Sequence, residues 1–124
     1  MGFLTTGLFN RQGFGNPFKD YNDVFVPYCT GDLHAGTKVT TYGSKATSHV
    51  GFLNMSAYLK RLVPTFPDAE RIFLFGSSAG GFGVGVNWYR VQGAFPAARV
   101  DLVLLSGCQV GSCALERFRK ILPF

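Results

Sequence analysis

Apolar residues along this chain fall into short continuous runs and one helical stripe, and the two patterns predict different elements. Residues 71–75 (R-I-F-L-F) and 100–105 (V-D-L-V-L-L) are apolar runs bounded by turn residues. Such runs predict buried strands of a parallel sheet. Residues 23–29 (D-V-F-V-P-Y-C) are β-branched and aromatic, which predicts a further strand. Pro27 belongs near its end, because proline donates no ladder hydrogen bond. Residues 38–42 (K-V-T-T-Y) predict a short strand in an insertion. Between 48 and 63 the period changes. Val50, Leu53, Ala57, Leu59, Leu62 and Val63 make an apolar face at helical spacing, and Pro64 and Pro67 are expected to end it. Residues 82–91 predict a second helix. Gly83 and Gly85 there each cost about 1 kcal/mol, unless their small size lets the helix sit close to the sheet. Residues 113–122 predict a short amphipathic helix, and residues 1–22, rich in Gly, Asn and Phe without a period, predict loop.

The predicted order is strand, helix, strand, helix, strand. Connections of this length imply right-handed crossovers and a parallel sheet covered on both faces, the α/β class. Three or four strands leave long apolar edges, so the chain reads as part of something larger.

Composition narrows the class without changing this picture. The 124 residues suffice for one domain, 1–124, and not for two. With 47% apolar and 15% charged residues the chain is not disordered, and 13 Phe must find a core. No apolar run approaches the roughly 20 residues of a membrane-spanning helix, so no span is expected. The net charge of +5 raises nucleic acid as a partner, but the basic residues cluster only at Lys60-Arg61 and Arg117-Phe118-Arg119-Lys120. No aromatic-rich basic stripe repeats, so a solvated basic surface is expected and no nucleic acid. Cys29, Cys108 and Cys113 cannot all pair, and no His completes a zinc set with them, so free or buried thiols and no metal are expected. Met1-Gly2-Phe3-Leu4 has no basic leader region, so no signal peptide is expected and localisation stays open.

One motif carries chemistry. Gly76-Ser77-Ser78-Ala79-Gly80 fits G-x-S-x-G, directly after an apolar strand and before a helix. That context makes the turn a nucleophile elbow. Its sharpness requires small flanking residues, which Gly76 and Gly80 provide. The turn lifts the Ser78 hydroxyl above the strand's end and places the Ala79 N–H where an oxyanion would develop. The alternative is a glycine-rich turn without chemistry. Neither G-x-G-x-x-G nor Gly-Lys-Ser/Thr occurs, which disfavours a nucleotide site. A serine nucleophile needs a base and an orienting acid. Downstream of Ser78 the acids are Asp101 and Glu116, and there is no His. A triad in the order Ser, acid, His therefore does not close within these residues. His34 and His49 lie upstream, and a structural or substrate-side role is expected for each.

The segments Asn16-Pro17-Phe18-Lys19-Asp20-Tyr21-Asn22, Val26-Pro27-Tyr28-Cys29-Thr30-Gly31-Asp32-Leu33-His34-Ala35-Gly36, His49-Val50-Gly51 and Gly76-Ser77-Ser78-Ala79-Gly80-Gly81 together resemble the pectin acetylesterase family, which includes the Notum carboxylesterases. The resemblance runs from about residue 7 to 107, and the bacterial branch is the most similar. It implies a partial α/β-hydrolase-like three-layer fold with a mainly parallel sheet. It implies cleavage of O-acyl esters by a Ser–Asp–His mechanism, without cofactor or metal. The implied substrate is an acylated carbohydrate or other small ester. By motif, Ser78 is the nucleophile, Ala79 gives an oxyanion N–H, and Asp32, His34 and Gly80 shape the site. The family's G-G-G-W-C-type oxyanion segment and its catalytic Asp and His are not found here, and residues 108–124 read as a divergent tail. A fragment of a serine esterase, inactive alone, is the expectation; a binding module on the same scaffold, or a gene remnant, is the alternative.

Overall fold

A computed structural model of the chain describes residues 9–105. Six elements follow in order: β1 (Lys38–Tyr42), β2 (Lys45–His49), α1 (Gly51–Thr65), β3 (Arg71–Ser77), α2 (Ala79–Ala94) and β4 (Arg99–Leu105). β1 and β2 form an antiparallel hairpin, and β3 and β4 form a parallel pair in the register Arg71↔Arg99 to Ser77↔Leu105. This is a partial α/β arrangement of two small sheets and two helices.

Alternation along β3 decides what covers each sheet face. Ile72 and Leu74 point into a core with Val100 of β4, Val91 and Ala94 of α2, Leu59 and Leu62 of α1, and Phe95 and Ala98 of the α2–β4 connection. Phe73 and Phe75 point the other way, where Phe18 meets them edge-on at centroid distances of 4.9 and 5.2 Å and Tyr21 meets Phe73 at 5.5 Å. Both helices thus share one core, and an aromatic turn segment covers the opposite face. Among the described residues both faces of the parallel pair are covered as expected, one by the helices and the other by this segment. Arg71 and Arg99, side by side in the register, both hold Asp101 at 2.8 and 2.9 Å. Burial raises the Asp101 pKa, but these hydrogen bonds and the two positive charges outweigh it and leave the pKa lowered.

Several local expectations change. Residues 23–29 are not a strand: among the described residues the segment pairs with no sheet, and Val24, Phe25 and Val26 line a small hollow together with Tyr58, Arg61 and Leu62 of α1. Strand-like composition also suits an extended segment lying on a helix, and only a partner makes it a strand. Ser48 and His49 belong to β2, so α1 starts at Gly51. The missed signal was Gly43-Ser44 between two short polar-patterned runs, with Gly43 at φ 62° as a two-residue hairpin turn requires. Helix α1 ends at Thr65, between Pro64 and Pro67 as expected: Pro64 has no N–H to give the Lys60 carbonyl, and the Phe66 N–H closes the end on the Leu62 carbonyl. Its buried side differs. Leu59 and Leu62 reach the core, while Leu53 and Val63 stay exposed. Helix α2 starts at Ala79, three residues earlier than the glycines suggested, and ends at Ala94. The helix expected over 113–122 and the tail 108–124 lie outside the described residues.

Candidate active site

Strand β3 ends at Ser77 and α2 begins at Ala79, so the whole reversal is made by one residue, Ser78. Its backbone sits at φ 53° and ψ −121°, a region that suits glycine and costs an L-residue about 1–3 kcal/mol. The turn persists because both sides are pinned. The ladder of β3 on β4 holds Ser77, and the Ser78 carbonyl accepts the Gly81 and Phe82 N–H groups at 3.0 and 3.4 Å. The Ser78 side chain is exposed, and among the described residues its hydroxyl has no hydrogen-bond partner. Ala79 is the first residue of α2, so its N–H is one of the four that a helix cannot satisfy internally. No acidic residue stands in the first turn to offset the positive end of the helix dipole.

The two glycines of the motif differ. A Cβ on Gly76 would overlap the Gly80 carbonyl and lie 2.8 Å from the Gly81 nitrogen, so strand and helix touch backbone to backbone there. A Cβ on Gly80 would meet nothing within 4 Å. The expectation that both must be small holds sterically for Gly76 alone; at Gly80 it is the carbonyl that fills the contact.

Asp32 is the hub of the upstream loop. Its carboxylate accepts hydrogen bonds from the Thr30 hydroxyl (2.5 Å) and from the backbone N–H groups of His34 (3.1 Å), Gly36 (3.0 Å) and Gly51 (2.6 Å). The last of these caps α1, whose own N-cap residue, Val50, offers no side-chain acceptor. Desolvation raises the Asp32 pKa, but the four donors outweigh it and the net shift is downward. A lowered folded-state pKa gives stabilisation that is complete above the unfolded value of about 3.9 and is lost as pH falls through the folded value. Asp32→Asn is therefore expected to cost about 2 kcal/mol at neutral pH. It should also flatten the loss of stability below about pH 4, where Asp32 and Asp101 both protonate. Denaturant unfolding across this range checks it, and an unchanged slope would leave Asp101 as the acid-sensitive group.

His34 lies beside Asp32 with φ 58°, following Leu33 at φ 56°. Its ring packs on Gly83 of α2, where a Cβ would come within 2.5 Å of Cδ2. This is the close helix approach that a glycine in α2 permits. Sequence reading missed the residues that fasten this contact. Asn87, 3% exposed, donates from Nδ2 to the His34 carbonyl (3.1 Å) and the Gly83 carbonyl (2.9 Å). Arg90 donates to Asn87 Oδ1, to the Ser56 hydroxyl and to the Phe52 carbonyl, with its guanidinium 3.6 Å from the Phe52 ring centroid. A polar Asn between glycines of an apolar helix was the available signal. His49 is in β2, not at a helix start, and both ring nitrogens are engaged: Nδ1 with the Thr30 carbonyl at 2.8 Å and Nε2 with the Tyr42 hydroxyl at 3.1 Å. Neither histidine is hydrogen-bonded to Ser78. Among the described residues no group of three His, Cys, Asp or Glu could hold a metal ion, and no helix is long and apolar enough to cross a membrane.

Residues 3–117 match the family model described as Pectinacetylesterase. The chain is 36% identical over 104 residues to palmitoleoyl-protein carboxylesterase notum2 of Xenopus laevis, covering 82% of this chain and 21% of that protein. It is 33% identical over 88 residues to palmitoleoyl-protein carboxylesterase NOTUM of Homo sapiens, covering 69% of this chain and 18% of that protein. The NOTUM protein of Drosophila melanogaster is 33% identical over 94 residues, 14% of its length. The chain thus spans about a fifth or less of the curated relatives it matches. No solved structure gives a significant match.

Proposed function

The chain belongs to the pectinacetylesterase family, and from that membership we propose that it is the nucleophile-bearing segment of a serine carboxylic ester hydrolase with an α/β-hydrolase-like fold. Ser78 attacks the ester carbonyl carbon as its hydroxyl proton passes to a base. The Ala79 N–H donates to the tetrahedral oxyanion, which collapses to expel the alcohol. Water then hydrolyses the acyl-serine and releases the acid. The observation that carries this reading is the single-residue turn at Ser78, with an exposed hydroxyl at the unneutralised N-terminus of α2. The base and its orienting acid come from residues beyond this segment, which matches a chain covering a fifth or less of its relatives. The substrate is an acyl ester: an acetylated carbohydrate by the family's name, or an acylated protein by the relatives' names.

A non-catalytic binding module on the same scaffold is the second reading, favoured by the lack of a hydrogen-bonded base at Ser78 among the described residues. A fluorophosphonate probe separates the two. The chain of 124 residues alone is expected to stay unlabelled and to be nearly inert on small acetyl esters. It should also aggregate readily, because Phe82 and Tyr89 of α2 are 66% and 61% exposed and the parallel pair has open edges. The complete enzyme should label at Ser78. Reading the nucleotide sequence on either side of the frame checks the segment proposal directly. A G-G-G-W-C-type segment upstream and an Asp and His downstream are expected. If neither is present, the binding module takes precedence.

A further inference from the structure

The two histidines of the described chain are treated in opposite ways. His49 has both ring nitrogens committed to protein partners, which makes it a structural group. His34 has its backbone committed instead: its N–H donates to Asp32 Oδ1 and its carbonyl accepts from Asn87 Nδ2, each at 3.1 Å. Neither of its ring nitrogens has a hydrogen-bond partner among the described residues.

This fixation has an energetic cost. Leu33 and His34 both adopt left-handed backbone, at φ 56° and 58°, which L-residues avoid. A ring needed only for packing does not require two consecutive left-handed residues. The opposing term is the network on the far side: Asn87, buried within α2, is itself oriented by Arg90 through its Oδ1. The ring is thereby held against Gly83, with the Tyr28 ring centroid 4.9 Å from its own. Gly83 is five residues beyond Ser78, an axial rise of about 7.5 Å along the helix. Gly80, between the two, carries open space where a side chain would stand.

We propose that His34 is a specificity-determining residue of the Ser78 site, contacting the alcohol side of a polyhydroxylated acyl ester through its imidazole, with Asn87 as its positioning residue. A neutral imidazole presents one donor and one acceptor in a plane. That pair complements adjacent sugar hydroxyls, whereas an aryl leaving group offers it nothing. The proposal rests on the reading of Ser78 as nucleophile.

The test uses the complete enzyme with two substrates of one acyl group, mono-O-acetyl glucose and p-nitrophenyl acetate. His34→Ala is expected to raise KM for acetyl glucose about tenfold, the loss of one or two hydrogen bonds, with kcat little changed. On p-nitrophenyl acetate kcat/KM should stay within about twofold of wild type. Asn87→Asp keeps the side-chain shape and the Arg90 contact but cannot donate to the His34 and Gly83 carbonyls. It should shift KM for acetyl glucose in the same direction and spare the aryl ester. Equal losses on both substrates would make His34 structural and overturn the proposal. An unchanged KM, or a wild-type enzyme that does not hydrolyse acetyl glucose, overturns it as well. Fluorophosphonate labelling keeps the two readings apart: wild-type enzyme unlabelled at Ser78 fails the nucleophile assignment, whereas a labelled enzyme without the KM split fails His34 alone.

Discussion

Replacing Ser78 by alanine in the complete enzyme is expected to lower kcat by about four to six orders of magnitude, with KM nearly unchanged. The loss is large because no other group in the turn can form the acyl intermediate. Stability should hardly move, since alanine keeps the same backbone strain and the hydroxyl makes no hydrogen bond among the described residues. Ser78→Gly separates strain from chemistry. Glycine adopts φ 53° freely, so this variant is equally inactive but more stable by about 1 kcal/mol. Ester turnover and denaturant unfolding, measured on the same preparations, read the two effects. A Ser78→Ala enzyme that retains more than a few per cent of turnover would remove the nucleophile assignment. A Ser78→Gly enzyme no more stable than wild type would show that the turn stores no strain.

Gly76→Ala should be the most damaging small substitution in the fold. The added methyl would overlap the Gly80 carbonyl and approach the Gly81 nitrogen, all backbone atoms that cannot rotate away. Strand β3 and helix α2 would have to separate at the point where Ser78 joins them. Overpacking against rigid backbone costs about 3 kcal/mol or more, a large share of a small domain's stability. Fluorophosphonate labelling of the complete enzyme should vanish with it, because the turn geometry depends on that approach. Gly80→Ala is the control. It has open space and lies inside the helix, so its folding stability should be unchanged or higher by up to about 1 kcal/mol. If Gly76→Ala unfolds at the wild-type denaturant concentration, the close strand–helix contact is wrong.

Much of the site's framework was legible in the sequence. Apolar runs at 71–75 and 100–105 gave the parallel pair because a buried strand must be apolar on both faces. The G-x-S-x-G spacing gave the turn, and its steric requirement falls on Gly76, where a side chain would meet the Gly80 and Gly81 backbone. The family itself was legible too, since the quoted motifs are specific in type and order. The strand expected at 23–29 and the helix start at Ser48 were not correct. Both were read from local preference, and tertiary placement decided each: residues 23–29 lie beside α1 without pairing to a strand, and His49 pairs with Lys38.

The sequence by itself determined the elements that carry their own signal: the parallel pair, the turn at Ser78 and the family. The tertiary structure alone decided what holds the loop of Asp32 and His34 in place. Asp32 caps a helix that begins 19 residues later, and Asn87 fixes a carbonyl 53 residues earlier. Periodicity and propensity report on neighbours a few positions apart, over which the backbone is stiff. A hydrogen bond across 53 residues depends on the path of everything between them, and no local pattern encodes that path.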